Sequence, residues 1–156
     1  VISCSNWCDE ERSLELDLRD YQLDEGEYLY REFWSGKIGR IRTGEQVCLG
    51  LLPPHGSLLL SLRKVTGKDA HYLGSDLHFT QGSEVSEWSE DGNAINLSLR
   101  LPRTAAGKVY LSIPDGIVST CVDGSEVVFQ HEGDQVFSLA VDFQGFCRIA
   151  IKKGSG

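Results

Sequence analysis

The chain has 156 residues, 40% of them apolar, and 23 acidic against 15 basic side chains give a net charge of −8. That length suits one ordinary domain or two small ones with a packed core. Nucleic acid is excluded as a partner for want of a basic footprint, an anionic membrane surface for the same reason, and no apolar run approaches the roughly 20 residues that span a bilayer.

In chain order, Val1 to Trp7 alternates loosely and predicts a strand, followed by a polar turn at Cys8-Asp9-Glu10-Glu11-Arg12. Leu14, Leu16 and Leu18 alternate with Glu15 and Asp17, the period of a half-buried strand. Glu27 to Trp34 carries the aromatic and branched residues that suit a pleated surface. Short strands follow at Ile38 to Arg42 and Gln46 to Leu52. Pro53, Pro54, His55 and Gly56 then break the apolar run, because proline cannot donate to a ladder. Leu58-Leu59-Leu60-Ser61-Leu62 is short and nearly continuous, which predicts a strand buried on both faces.

Thr66-Gly67-Lys68-Asp69 marks a seam between modules. Beyond it, Ala70 to Leu73 and Leu77 to Thr80 are expected to be extended, and Val85 to Trp88 leads to a turn at Glu90-Asp91-Gly92-Asn93. Ile95, Leu97, Leu99 and Leu101 alternate with polar residues, the clearest amphipathic strand in the chain. Pro102 to Gly107 reads as a connection into Lys108 to Ile113. Turns at Pro114-Asp115-Gly116, Asp123-Gly124, Glu132-Gly133-Asp134 and Gln144-Gly145 divide the remainder into short strands, the last from Cys147 to Lys152. No segment sustains helical spacing, with Leu18 to Glu27 the best candidate.

These patterns predict an all-β fold of two antiparallel β-sandwich modules with little or no helix, over residues 1–66 and 69–153, and a terminal linker or tag at 154–156. A module of about 60 residues buries only about 60% of its surface, so the first is expected to lean on neighbours for stability.

The residues that could carry chemistry are few. There is no serine elbow, phosphate-cradling glycine loop or histidine doublet, so no catalytic residue, cofactor or metal site is expected. Glu84 and Glu87 resemble a carboxylate pair, but residues three apart on a strand face opposite ways. Cys4 and Cys8 lack the further ligands that zinc needs. Tyr28 and Tyr30 share one strand face and, with Trp34, could form a sugar-stacking strip; core packing explains them equally well, and Trp88 is a weaker sugar contact still. Five cysteines, an odd and scattered set, predict free thiols and a cytoplasmic location. The absence of methionine, at position 1 included, predicts a piece of a longer protein.

Four stretches together resemble a known family. Asn6, Trp7 and Asp9 in VISCSNWCD match an Asn-Trp-Ser-Asp turn, with Cys8 in place of the small polar residue. Tyr30 to Lys37, YREFWSGK, is similar to Tyr-x-Asp-Phe/Leu-Trp-Ser/Thr-Gly-Lys, with Glu32 where aspartate is commoner. Leu52 to Leu60, LPPHGSLLL, matches a Leu-Pro-Pro-His-Gly turn and closing strand, and Leu73 to Gly82, LGSDLHFTQG, resembles the stretch that follows it. In this order they resemble the C-terminal all-β region of melibiase-type alpha-galactosidases, up to about Trp88. The resemblance implies a non-catalytic region whose partner is the catalytic (β/α) barrel of the parent glycoside hydrolase, where the catalytic aspartates lie. A carbohydrate-binding module with its own sugar site is the rival expectation.

Overall fold

The computed structural model describes residues 1–154, so all but Gly154 of the expected terminal linker lies outside the described residues. Among them the fold is all-β, with antiparallel ladders and one 3-10 turn. The chain divides into two compact units, Val1–Val65 and a second that starts at Thr66.

In the first unit, β1 (Ile2–Ser5), β6 (Ser57–Lys64), β3 (Glu27–Glu32) and β4 (Ile38–Arg42) form one sheet in that order. β2 (Arg12–Asp17) and β5 (Gln46–Leu52) form a two-stranded sheet. Ile2, Leu16, Tyr28, Tyr30, Ile41 and Leu60 meet in one core. Two expectations change here. Leu18 does not extend the strand: the Asp17 carboxylate accepts the Arg19 amide at 2.9 Å and starts a 3-10 turn over Leu18–Tyr21. Leu18 still reaches the core from that turn. β6 is buried on both faces only at its middle, where Leu60 and Ser61 are sealed while Leu58, Leu59 and Leu62 stay half-exposed. The reason is that β6 pairs with β1 only over its first half and with β3 over its second.

The second unit is organised by two long strands, β9 (Ala94–Ser112) and β13 (Val136–Lys153), paired along nearly their whole length. β8 (Val85–Asp91) pairs with the first part of β9 and β7 (His71–Ser75) with its last part. β10 (Ile117–Val122), with β11 (Ser125–Val127) beside it, pairs with the end of β13; β12 (Phe129–Gly133) pairs with its start. The expected connection at Pro102 to Gly107 and the expected hairpin at Gln144-Gly145 are therefore both corrected, since each lies inside a continuous strand. The register explains how. Gln144 faces Thr104 and Phe146 faces Arg100, so Leu101, Pro102 and Arg103 lie opposite Gly145 alone. The bulge adds two residues to β9, and two is the number that leaves side-chain alternation unchanged. Pro102, which has no N–H, sits in the one gap of the ladder. Gly145 has φ of 79°, a turn conformation costly for other residues.

Because alternation survives the bulge, Ile95, Leu97, Leu99, Leu101, Val109 and Leu111 of β9 all point inward, as do Phe137, Leu139, Val141, Phe143, Cys147, Ile149 and Ile151 of β13. Both halves of the ribbon feed one core. One layer comprises β8, the first half of β9, the second half of β13, β10 and β11; the other comprises β7, β12 and the remaining halves. The Asp123-Gly124 hairpin forms as expected, with φ of 48° and 82°. Leu77 to Thr80 does not: β7 ends at Ser75, and the segment is a turn in which the Gln81 amide donates to the His78 carbonyl at 3.2 Å.

Candidate functional site

Three of the four motif stretches meet in the first unit. Asn6 is buried, and its amide nitrogen donates to the carbonyls of Glu10 (2.8 Å), Leu52 (3.2 Å) and Pro53 (3.1 Å). Its amide oxygen accepts the Cys8 N–H at 3.1 Å, and its own backbone N–H donates to Gly56 at 2.9 Å. One side chain thus holds the Pro-Pro-His-Gly turn to the turn after β1. Gly56 is required there: a Cβ would stand 2.8 Å from the Pro53 ring. The Asp9 carboxylate accepts a hydrogen bond from His55 Nε2 at 3.0 Å on the exposed side of the same junction.

Glu32 ends β3 and does a similar job. Its carboxylate accepts the N–H groups of Trp34 (3.1 Å), Ser35 (2.5 Å) and Leu59 (3.4 Å). Burial pushes its pKa up, but the hydrogen bonds from Ser35, Trp34 and Leu59 outweigh that and leave it below the ordinary carboxylate value. The Trp-Ser-Gly-Lys turn is held by it, with Gly36 at φ of 70°.

The predicted sugar contacts separate. Tyr28 and Tyr30 are 6% and 5% exposed and belong to the core. Tyr28 donates to the Asp24 carbonyl at 2.9 Å, and the Tyr30 ring lies so close over Gly39 that a Cβ there would come within 2.7 Å. Neither ring offers a face to a sugar, because both pack into the core with Leu16, Ile41 and Leu60. Trp34 is brought out by the Glu32 turn: it is 65% exposed, edge-on to Phe33 at 4.8 Å between ring centres. Trp88 belongs to the other unit, half-buried against that unit's core.

Sequence reasoning missed Trp7, which is 84% exposed. Its signal was the neighbouring Asn6: a turn clamped through Asn6 leaves the next side chain outside. Trp34 lines a cleft of about 350 Å³ with Glu32, Lys37 and Leu52; Trp7 lines one of about 260 Å³ with Arg12, Leu14 and Leu52. Leu52, itself buried, contributes to the lining of both clefts.

The fourth motif closes on Glu84, two residues past its end, in the second unit. Glu84 is fully buried, and its carboxylate accepts from Tyr72 Oη (2.7 Å), the Gly82 N–H (2.9 Å) and the Ser75 hydroxyl. Gln81, 1% exposed, donates to the carbonyls of Ser75 (2.8 Å) and His78 (2.7 Å). Glu87 is exposed on β8, so the two glutamates do not converge on a substrate-sized space. Among the described residues no three His, Cys, Asp or Glu side chains gather as a metal site, and all five cysteines are free. None of the described helices is long and apolar enough to cross a membrane.

No protein-family model matches the chain, and no curated protein matches it.

Proposed function

We propose that this chain is the non-catalytic accessory β region of an alpha-galactosidase-like glycoside hydrolase, in which the first unit braces the catalytic barrel. One observation carries the reading. Asn6, Glu32 and Gln81 of the motifs, and Glu84 two residues past the last of them, are spent on internal turns, while the two tryptophans of the motifs, Trp7 and Trp34, stand outside beside clefts. Exposed indoles beside leucine-lined clefts are the composition of a protein contact, where tryptophan buries a large area at small entropy cost.

Two measurements test it. The chain alone should hydrolyse a nitrophenyl alpha-galactoside no faster than buffer; turnover well above background overturns the reading. In the parent enzyme, Trp7→Ala with Trp34→Ala should shorten the thermal half-life of activity while leaving the chain's own fold intact; an unchanged half-life also overturns it. Sugar contact at Trp34 is the second reading, favoured by the ring's exposure beside a cleft. Saturable quenching of tryptophan fluorescence by an oligosaccharide, lost in Trp34→Ala, would favour it over bracing.

A further inference from the structure

The outward face of the five-stranded layer in the second unit is a groove built of small residues. Register places Asn96, Ala150 and Cys121 side by side across β9, β13 and β10. Clefts of about 420 and 400 Å³ lie on either side of this row and share all three residues, so they form one trough along the strands. Each half repeats the same chemistry. One contains Asp91 and Lys152, the other Glu87 and Arg148. The two acids lie four residues apart on β8 and the two cations four apart on β13, a spacing of roughly 13 Å along the groove. Acid and cation of each half are separated by β9, roughly 10 Å from backbone to backbone.

Among the described residues the side chains of Arg148 and Lys152 form no ion pair, although the Arg148 backbone N–H donates to the Asp123 carboxylate at 2.8 Å; the neighbouring Lys153 points inward to Glu90 and Asp115. Glu87 is held in place by the Ser98 hydroxyl at 3.0 Å. On the outward side of β13 the Phe146 ring lies within reach of the guanidinium groups of Arg100 (5.7 Å) and Arg148 (5.5 Å).

We infer that this trough binds a neutral oligosaccharide. Asp91 and Glu87 stand against Lys152 and Arg148, and the Asp123 carboxylate beside Arg148 stands against Arg100, so no net charge on the ligand is called for. Each half offers an acceptor on one wall and a donor on the other, and a sugar ring, which carries several hydroxyls that each donate and accept, can serve both walls with different hydroxyls. The Asn96 amide adds one donor pair and one acceptor at the centre, and the Ala150 floor leaves room for a ring. The repeat along the strands fits a linear chain rather than a single sugar. This site shares no residue with the clefts beside Trp7 and Trp34, and goes beyond the function proposed above.

The test is titration of the isotope-labelled whole chain with cellotetraose, maltotetraose, mannotetraose and galactotetraose, read by amide NMR. At least one should give saturable shifts at Asn96, Cys121 and Ala150, nearly equal in about 50 and about 500 mM salt because the ligand is neutral. Ala150→Trp, which fills the floor at an exposed position, should weaken binding at least about tenfold with its own spectrum still folded. Arg148→Ala should weaken it about fivefold, and Trp34→Ala should leave it unchanged. No saturable shift with any of the four sugars overturns the inference. So does wild-type affinity in both groove variants, or binding seen only with uronic-acid oligomers and lost in high salt.

Discussion

The two units solve the same problem differently. The first has a small core between a four-stranded and a two-stranded sheet, and its long turns are pinned by single side chains, Asn6 and Glu32. The second threads one core with two strands of 19 and 18 residues and depends on an unbroken inward alternation. A turn held by one amide is local, so damage there should stay local. A ribbon whose two halves share a core is not, so a fault at one point should spread along its length.

Breaking the alternation is the sharpest way to test that contrast. Deleting Pro102 leaves one extra residue in β9 and turns half of its inward side chains outward. The second unit should lose its cooperative fold, a cost above about 5 kcal/mol. Deleting Pro102 and Arg103 together restores alternation and should leave a folded unit, checked by amide NMR. Glu84→Ala comes next. It orphans three buried donors, and about 3–5 kcal/mol of stability should disappear in urea unfolding followed at Trp88. Asn6→Ala removes three donated bonds and one accepted bond in the first unit and should cost about 2–4 kcal/mol, with faster amide exchange confined to the turns at Cys8 and Gly56.

Glu32→Gln should cost about 1–2 kcal/mol at neutral pH. Its sign with pH follows from the lowered pKa. The folded carboxyl ionises more readily than the unfolded one, so the stabilisation is complete above the unfolded value of about 4.3 and is lost as pH falls through the folded value. The gap between wild type and Glu32→Gln should therefore close in acid, read from urea midpoints between pH 7 and about pH 3. The smallest effect belongs to the exposed indoles: Trp7→Ala and Trp34→Ala should each change the stability of this chain by no more than about 0.5 kcal/mol. A larger loss would mean that these rings brace this chain's own fold.

The alternating leucines and isoleucines and the glycine turns fixed the all-β class in advance, because side-chain period and turn chemistry are local properties of the chain. Ile95 to Leu101 and Asp123-Gly124 took their expected forms for that reason. The sequence also brought the motif stretches into view, and Trp34 with them. What it did not contain was the strand opposite. Pro102 and Gly145 look like two separate breaks until pairing sets one against the other, when they become a single bulge in a continuous ribbon. Tyr28 and Trp34 are both aromatic residues of one stretch, yet one is core and the other surface, since distant apolar residues such as Leu16 pack into one core with the first and the Glu32 turn lifts the second away. Local propensity acts within a few residues, whereas burial and register depend on which distant segment arrives alongside, and that is settled only when the sheets assemble.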